Sequence, residues 1–164
     1  MKIKIWIISA ILAGISLTLQ AQQFEKKFIR HRGLEREYQL YVPDSLAAQR
    51  PLVILLHGYG GKAENYRPEM AALARKHGFV LCVPQGCKAP QGKTGWNVGY
   101  PAQEGMTTDD VDFVCDLKKR IVKDYRLDGR NCFLCGMSNG GEMCYLTAML
   151  RPEAFTAYGS VAGL

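Results

Sequence analysis

A chain of 164 residues, 48% hydrophobic and 22% charged, has the composition of an ordinary globular protein with one core, which argues against intrinsic disorder. The formal charge of +6 is scattered over short clusters, Lys26-Lys27, Arg30-His31-Arg32 and Lys118-Lys119-Arg120, separated by acids and apolar residues and without interleaved aromatics. Nucleic-acid binding calls for a basic stripe with stacking partners, so these clusters read as solvated faces and no nucleic-acid partner is expected.

At the N-terminus, Lys2 and Lys4 precede an apolar run from Ile5 to Leu19, and Leu19-Gln20-Ala21 resembles a small-residue cleavage site. The run falls short of the about 20 apolar residues of a spanning helix, so residues 1–21 read as a secretory signal peptide. Its removal lowers the net charge by the two lysines. No cysteine stands at its end to carry a lipid. The expectation is a secreted or periplasmic protein with no stable membrane association after signal cleavage. Residues 22–164 show no repeat, low-complexity tract or linker, and read as a portion of one domain.

From Phe24 to Ile29 the pattern alternates as a strand, turns at His31-Arg32-Gly33, and alternates again through Arg36, Tyr38, Leu40 and Val42, predicting an antiparallel hairpin. Pro51 to Leu56 is a continuous apolar run, as expected for a strand buried on both faces of a mostly parallel sheet. It leads into His57-Gly58-Tyr59-Gly60-Gly61. Met70, Leu73, Ala74 and His77 share one face of a predicted helix that Gly78 stops. Phe79 to Val83 is a second buried strand.

Pro84 to Thr108 is broken throughout by glycine and proline, and a loop of that length in a compact domain is usually functional. Thr107-Thr108 then cap a helix whose core face is Val111, Val114, Leu117 and Ile121, with Tyr125 at its far end and Asp109 and Asp110 suited to its first turn. Cys132 to Cys135 reads as a strand, followed by a helix carrying Met143, Leu146 and Leu150 that Pro152 stops. Phe155 to Val161 reads as a last core strand. Strands alternating with helices make the class α/β.

The six cysteines, Cys82, Cys87, Cys115, Cys132, Cys135 and Cys144, admit many pairings, and the sequence does not choose among them. Cys132 and Cys135 have C-x-x-C spacing, but residues three apart on a strand point to opposite faces. Core packing therefore explains both better than a metal or redox site.

Gly136-Met137-Ser138-Asn139-Gly140 fits G-x-S-x-G between that strand and that helix, the order a nucleophile elbow requires. A tight strand-to-helix turn strains the central serine, and only small neighbours tolerate it. The turn also sets Ser138 at a helix N-terminus, where free N–H groups and the dipole favour an oxyanion. The earlier His57-Gly58-Tyr59-Gly60-Gly61 loop suits the second half of an oxyanion hole, and the two motifs together are far more specific than either alone.

With "LLHGYGG", "TTDDVDFV", "CGMSNGGEM" and "SVAG", the chain resembles the polyhydroxybutyrate depolymerase and feruloyl esterase group of secreted α/β-hydrolases, from about Glu35 to Leu164. The resemblance implies Ser138 as nucleophile and the backbone N–H groups of Tyr59 and Asn139 as the oxyanion hole. It places Trp96 in a loop where similar enzymes have a tryptophan near the acyl or aryl pocket, while an anchor packed on the core is the alternative. His57 in such loops orders the loop and is not the base. The implied partner is an ester substrate, possibly polymeric. No metal site or cofactor is suggested, and the chemistry needs none.

A serine hydroxyl needs a base and an acid to orient it, and in α/β-hydrolases these follow in the order Ser, Asp or Glu, His. After Ser138 the sequence holds no histidine and no aspartate; the only later acids are Glu142 and Glu153. His31 in the hairpin turn and His77 at the far end of its helix are not placed to reach the elbow. The expectation is the N-terminal part of a longer serine esterase, inactive and poorly soluble by itself. The alternatives are a non-catalytic hydrolase remnant, or a peptidase or acyltransferase on the same fold.

Overall fold

The computed structural model describes residues 24–44 and 49–163; the segment read as a signal peptide lies outside them. The expected hairpin is β1 (Glu25–His31) and β2 (Leu34–Tyr41), paired antiparallel from Glu25 with Leu40 to His31 with Leu34. Arg32 and Gly33 between them both have positive φ, 46° and 84°, the turn geometry that matches the strands' twist.

Next come β3 (Leu52–Leu56), α1 (Arg67–His77) and β4 (Val80–Pro84), then two short strands, β5 (Cys87–Lys88) and β6 (Thr94–Gly95), which pair with each other inside the long loop. The chain continues through α2 (Asp110–Tyr125), β7 (Cys132–Met137), α3 (Asn139–Leu150) and β8 (Ala157–Val161). The main sheet has the order β1-β2-β4-β3-β7-β8. The β4, β3, β7 and β8 strands run parallel, with the hairpin added antiparallel at one side. This is the mostly parallel sheet with flanking helices expected from the alternation, and its order agrees with the α/β-hydrolase fold that the resemblance implies.

Period-two alternation sorts the strand residues between two cores. Leu52, Ile54, Leu56, Val80, Cys82, Cys132 and Leu134 face α2 and α3, where Phe113, Val114, Leu117, Ile121 and Met143 complete a large cluster. Leu81, Val83, Val53 and Leu55 face α1 and form a smaller one with Ala74 and Met70. β4 is buried along its whole length, but Val53 and Leu55 of β3 are only half-buried on the face that α1 covers.

Several local expectations are corrected. Asp109, not Thr107-Thr108, caps α2: its carboxylate accepts the Asp112 N–H at 2.9 Å, while the Thr108 hydroxyl donates to Asp110 at 3.1 Å. On α1 the buried stripe runs through Met70, Ala71 and Ala74, which leaves Leu73 42% exposed and His77 exposed. On α3 the close seating of Gly140 and Gly141 turns Met143, Cys144 and Thr147 inward and leaves Leu150 53% exposed. The start of the last strand differs: Phe155 precedes it as the buried residue, its ring 5.7 Å from that of Tyr158, and among the described residues β8 stands at the sheet edge. All six cysteines are free thiols, with Cys132 and Cys135 on alternate faces of β7.

Candidate active site

The strand order places the site. From β3 the chain passes through α1 to β4 on one side, then returns across to β7 on the other, so the carboxyl ends of β3 and β7 flank the point where the winding reverses. In open α/β sheets ligands bind in the crevice at that point. The loop after β3 is His57 to Gly61, and the residue after β7 is Ser138.

Ser138 has φ 52° and ψ −122°, a conformation that non-glycine residues adopt only when their surroundings impose it. Its own N–H donates to the Val161 carbonyl at 2.8 Å, and its carbonyl accepts the Glu142 N–H at 2.9 Å. The glycines on either side are sterically obligatory. A Cβ on Gly136 would stand 2.2 Å from the Gly140 carbonyl oxygen, and one on Gly140 would stand 2.5 Å from that of Leu56. The elbow is therefore wedged against β3. Its serine is exposed, and no side chain among the described residues bonds its hydroxyl.

Gly58 brings the earlier loop to the elbow: a Cβ there would lie 3.5 Å from the Ser138 Cβ. The neighbouring loop amides are used internally, Gly60 N–H to the Thr94 carbonyl at 2.7 Å and Gly61 N–H to that of Gly58 at 2.9 Å. The Tyr59 and Asn139 N–H groups donate to no acceptor among the described residues. His57 is fully buried and committed on both nitrogens: Nδ1 meets the Gly58 carbonyl at 2.8 Å, and Nε2 accepts the Gly86 N–H at 2.9 Å. Burial holds its pKa below the ordinary histidine value. It is a neutral structural imidazole, not a base for Ser138.

The long loop is pinned to the elbow by buried polar side chains that sequence reasoning did not single out. The Asn139 carboxamide pairs with Trp96 as a strand would, accepting its N–H at 2.8 Å and donating to its carbonyl at 3.1 Å. Gln103 donates to the same carbonyl at 2.6 Å and accepts the Val98 N–H at 2.9 Å. Trp96 is completely buried, its indole N–H bonded to the His57 carbonyl at 2.8 Å and its ring centroid 5.0 Å from the imidazole. In this chain it is the anchor of the loop.

Asp110 is the second pin. Its carboxylate takes the Asn97 N–H at 2.8 Å and forms a buried ion pair with Arg36 at 2.8 Å, whose guanidinium lies 3.7 Å over the Phe113 ring. The acid pair of the DDV stretch thus divides its labour, Asp109 capping α2 and Asp110 tying loop, helix and hairpin together. The signal available in the sequence was two adjacent acids at a helix start, where only one can cap.

The other histidines stand elsewhere. His31 closes the hairpin against α2, with Nδ1 3.2 Å from Asp116 and its ring edge-on to Phe113. His31, Asp112 and Asp116 form the one cluster of metal-ligand type among the described residues, but Arg32 already pairs with Asp112 at 2.7 Å and His31 with Asp116. No described helix is long and apolar enough to cross a membrane.

The family model described as esterase PHB depolymerase matches residues 36–164. Feruloyl esterase B of Neurospora crassa is 31% identical over 128 residues, covering 76% of this chain and 42% of that protein. A probable acetylxylan esterase A of Aspergillus fumigatus is 29% identical over 130 residues, covering 76% of this chain and 34% of that one. Among solved structures, an acetyl xylan esterase from Aspergillus awamori superposes with a TM-score of 0.65 at 20% identity, covering 84% of this chain and 53% of that chain, a likeness of fold. The chain spans less than half the length of these two curated relatives.

Proposed function

The chain belongs to the esterase PHB depolymerase family, and on that premise we propose that it is the nucleophile-bearing part of a secreted serine esterase that cleaves carboxylic esters. The observation that carries the reading is Ser138, held at φ 52° on an exposed turn, with the Tyr59 and Asn139 N–H groups free of acceptors among the described residues. Strain of this kind at an exposed serine is what a nucleophile elbow stores.

In the reaction so read, the Ser138 hydroxyl attacks the acyl carbon as a base removes its proton. The carbonyl oxygen becomes an oxyanion that accepts from the Tyr59 and Asn139 N–H groups, and collapse expels the alcohol with the proton returned to it. Water then attacks the Ser138 acyl ester by the same route and releases the acid. The base and its orienting acid are not supplied by a histidine or aspartate after Ser138 in this sequence; on this reading they belong to the part of the relatives' length that this chain does not span. The similarity to feruloyl and acetylxylan esterases favours feruloyl or acetyl esters on polysaccharide over polyhydroxyalkanoate. For the 164-residue chain by itself, the lack of histidine and aspartate after Ser138 favours an inactive state.

The test is Ser138→Ala in the complete enzyme, with hydrolysis of p-nitrophenyl acetate and methyl ferulate and labelling by a fluorophosphonate as readouts. The substitution is expected to abolish labelling and to lower kcat by roughly 10⁴-fold or more. A variant that keeps both would refute the assignment, and a wild type that takes no label would make the protein a non-catalytic hydrolase relative.

A further inference from the structure

Gln85 follows β4 and turns its side chain beneath the glycine loop, and the orientation of its carboxamide is determined. The Ala63 N–H donates to Oε1 at 2.9 Å, so Nε2 faces the His57 Nε2 at 3.0 Å and the Gly61 carbonyl at 3.4 Å. The reverse orientation would set N–H against N–H at Ala63. With the Gly86 N–H also directed at His57 Nε2, two donors converge on that nitrogen and leave no room for a proton. The ring proton therefore sits on Nδ1, which donates to the Gly58 carbonyl, an acceptor only.

The same carbonyl accepts the Gly61 N–H, so two donors fix one edge of the Gly58–Tyr59 peptide. A trans peptide is planar, with its N–H opposite its C=O, so fixing the carbonyl fixes the direction of the Tyr59 N–H. That N–H is turned away from His57 and Gly61, on the loop whose Gly58 abuts Ser138.

We infer that Gln85 is a positioning residue for ester hydrolysis: through His57 and the Gly58 carbonyl it aims the Tyr59 N–H at the oxyanion. This rests on the reading of Tyr59 as an oxyanion-hole donor. An oxyanion donor acts mainly in the transition state, so a misaimed one lowers kcat and leaves KM nearly unchanged. A residue that merely supported the fold would lower stability without that division.

In the complete enzyme, hydrolysis of p-nitrophenyl acetate is to be compared for Gln85→Met, His57→Asn and His57→Gln, and ¹⁵N spectra of the wild-type imidazoles are to record which nitrogen of His57 carries the proton. The expected results are a proton on Nδ1 and, in Gln85→Met, a roughly 10-fold or greater fall in kcat with KM within about twofold. His57→Asn, whose carboxamide N–H takes the place of Nδ1–H, should exceed His57→Gln in kcat by roughly 10-fold. Unchanged kcat in Gln85→Met, equal kcat in the two His57 variants, or a proton on Nε2 would overturn the inference. The spectrum is taken on the wild type and decides even where a variant does not fold. A wild type without esterase activity would defeat the esterase reading instead, with the spectrum still judging the relay from Gln85 to Gly58.

Discussion

The seam between β3 and β7 and the flank formed by α3 and β8 lie one strand apart, yet they are built in opposite ways. In the seam every close approach is filled: Gly136, Gly140 and Gly58 leave no space for a Cβ without contact, and His57, Trp96 and Asn139 are buried with their side-chain polar atoms bonded. On the flank Met149 is 79% exposed and Val161 64%, and beneath them the Glu142 Oε2 and Ser160 Oγ are buried with no partner among the described residues. The difference teaches that the half of the candidate site holding Ser138 is assembled from contacts within the described residues. The half on the β8 side has polar groups and apolar area without partners among the described residues.

The sharpest way to break this comparison is Gly136→Ala. A Cβ 2.2 Å from a backbone oxygen has no side chain to push aside, so the expected cost exceeds about 4 kcal/mol and leaves no folded protein, as judged by circular dichroism. Next comes Asp110→Ala, which strands the buried Arg36 guanidinium and the Asn97 N–H; about 3–5 kcal/mol should be lost in urea unfolding.

A smaller effect is one of pH. Burial depresses the His57 pKa, so the unfolded chain takes up its proton first as the pH drops through about 6.5. The stability tied to the neutral ring is complete above that value and is lost as pH falls toward the folded pKa. Between about pH 7.5 and about 5.5, the urea midpoint of the wild type should fall further than that of His57→Asn. Smallest is Met149→Glu on the flank, expected to change the stability of the 164-residue chain by less than about 0.5 kcal/mol. If it cost as much as Asp110→Ala, the flank would not be the open region described.

Much of this was legible because it depends on spacing. Apolar runs located β3, β4 and β7, and the small residues at Gly136 and Gly140 marked the elbow since nothing else fits there. The side-chain amides of Gln85 and Gln103 escaped notice because a polar residue in an irregular loop has no period to betray it, and Asn139 was read for its backbone N–H alone. Trp96 was undecided for the same reason; only its indole bond to the His57 carbonyl distinguishes an anchor from a pocket wall. Leu73 and Leu150 were placed on core faces by helical spacing alone. Which stripe of a helix is covered depends on what packs against it, and α1 and α3 meet the sheet through Ala74 and through Gly140 and Gly141.

The six unpaired thiols have a consequence for following this molecule in solution. Burial raises the pKa of every one, that of Cys144 to about 12, so the reactive thiolate is scarce while the sheet is closed. Cys87 in the long loop and Cys135 on β7 are half-buried, whereas Cys82, Cys115, Cys132 and Cys144 are buried in β4, α2, β7 and α3. A thiol reagent followed by mass spectrometry would therefore act as a clock with a mark in each layer, modifying the loop first and the strand interiors only as the sheet parts.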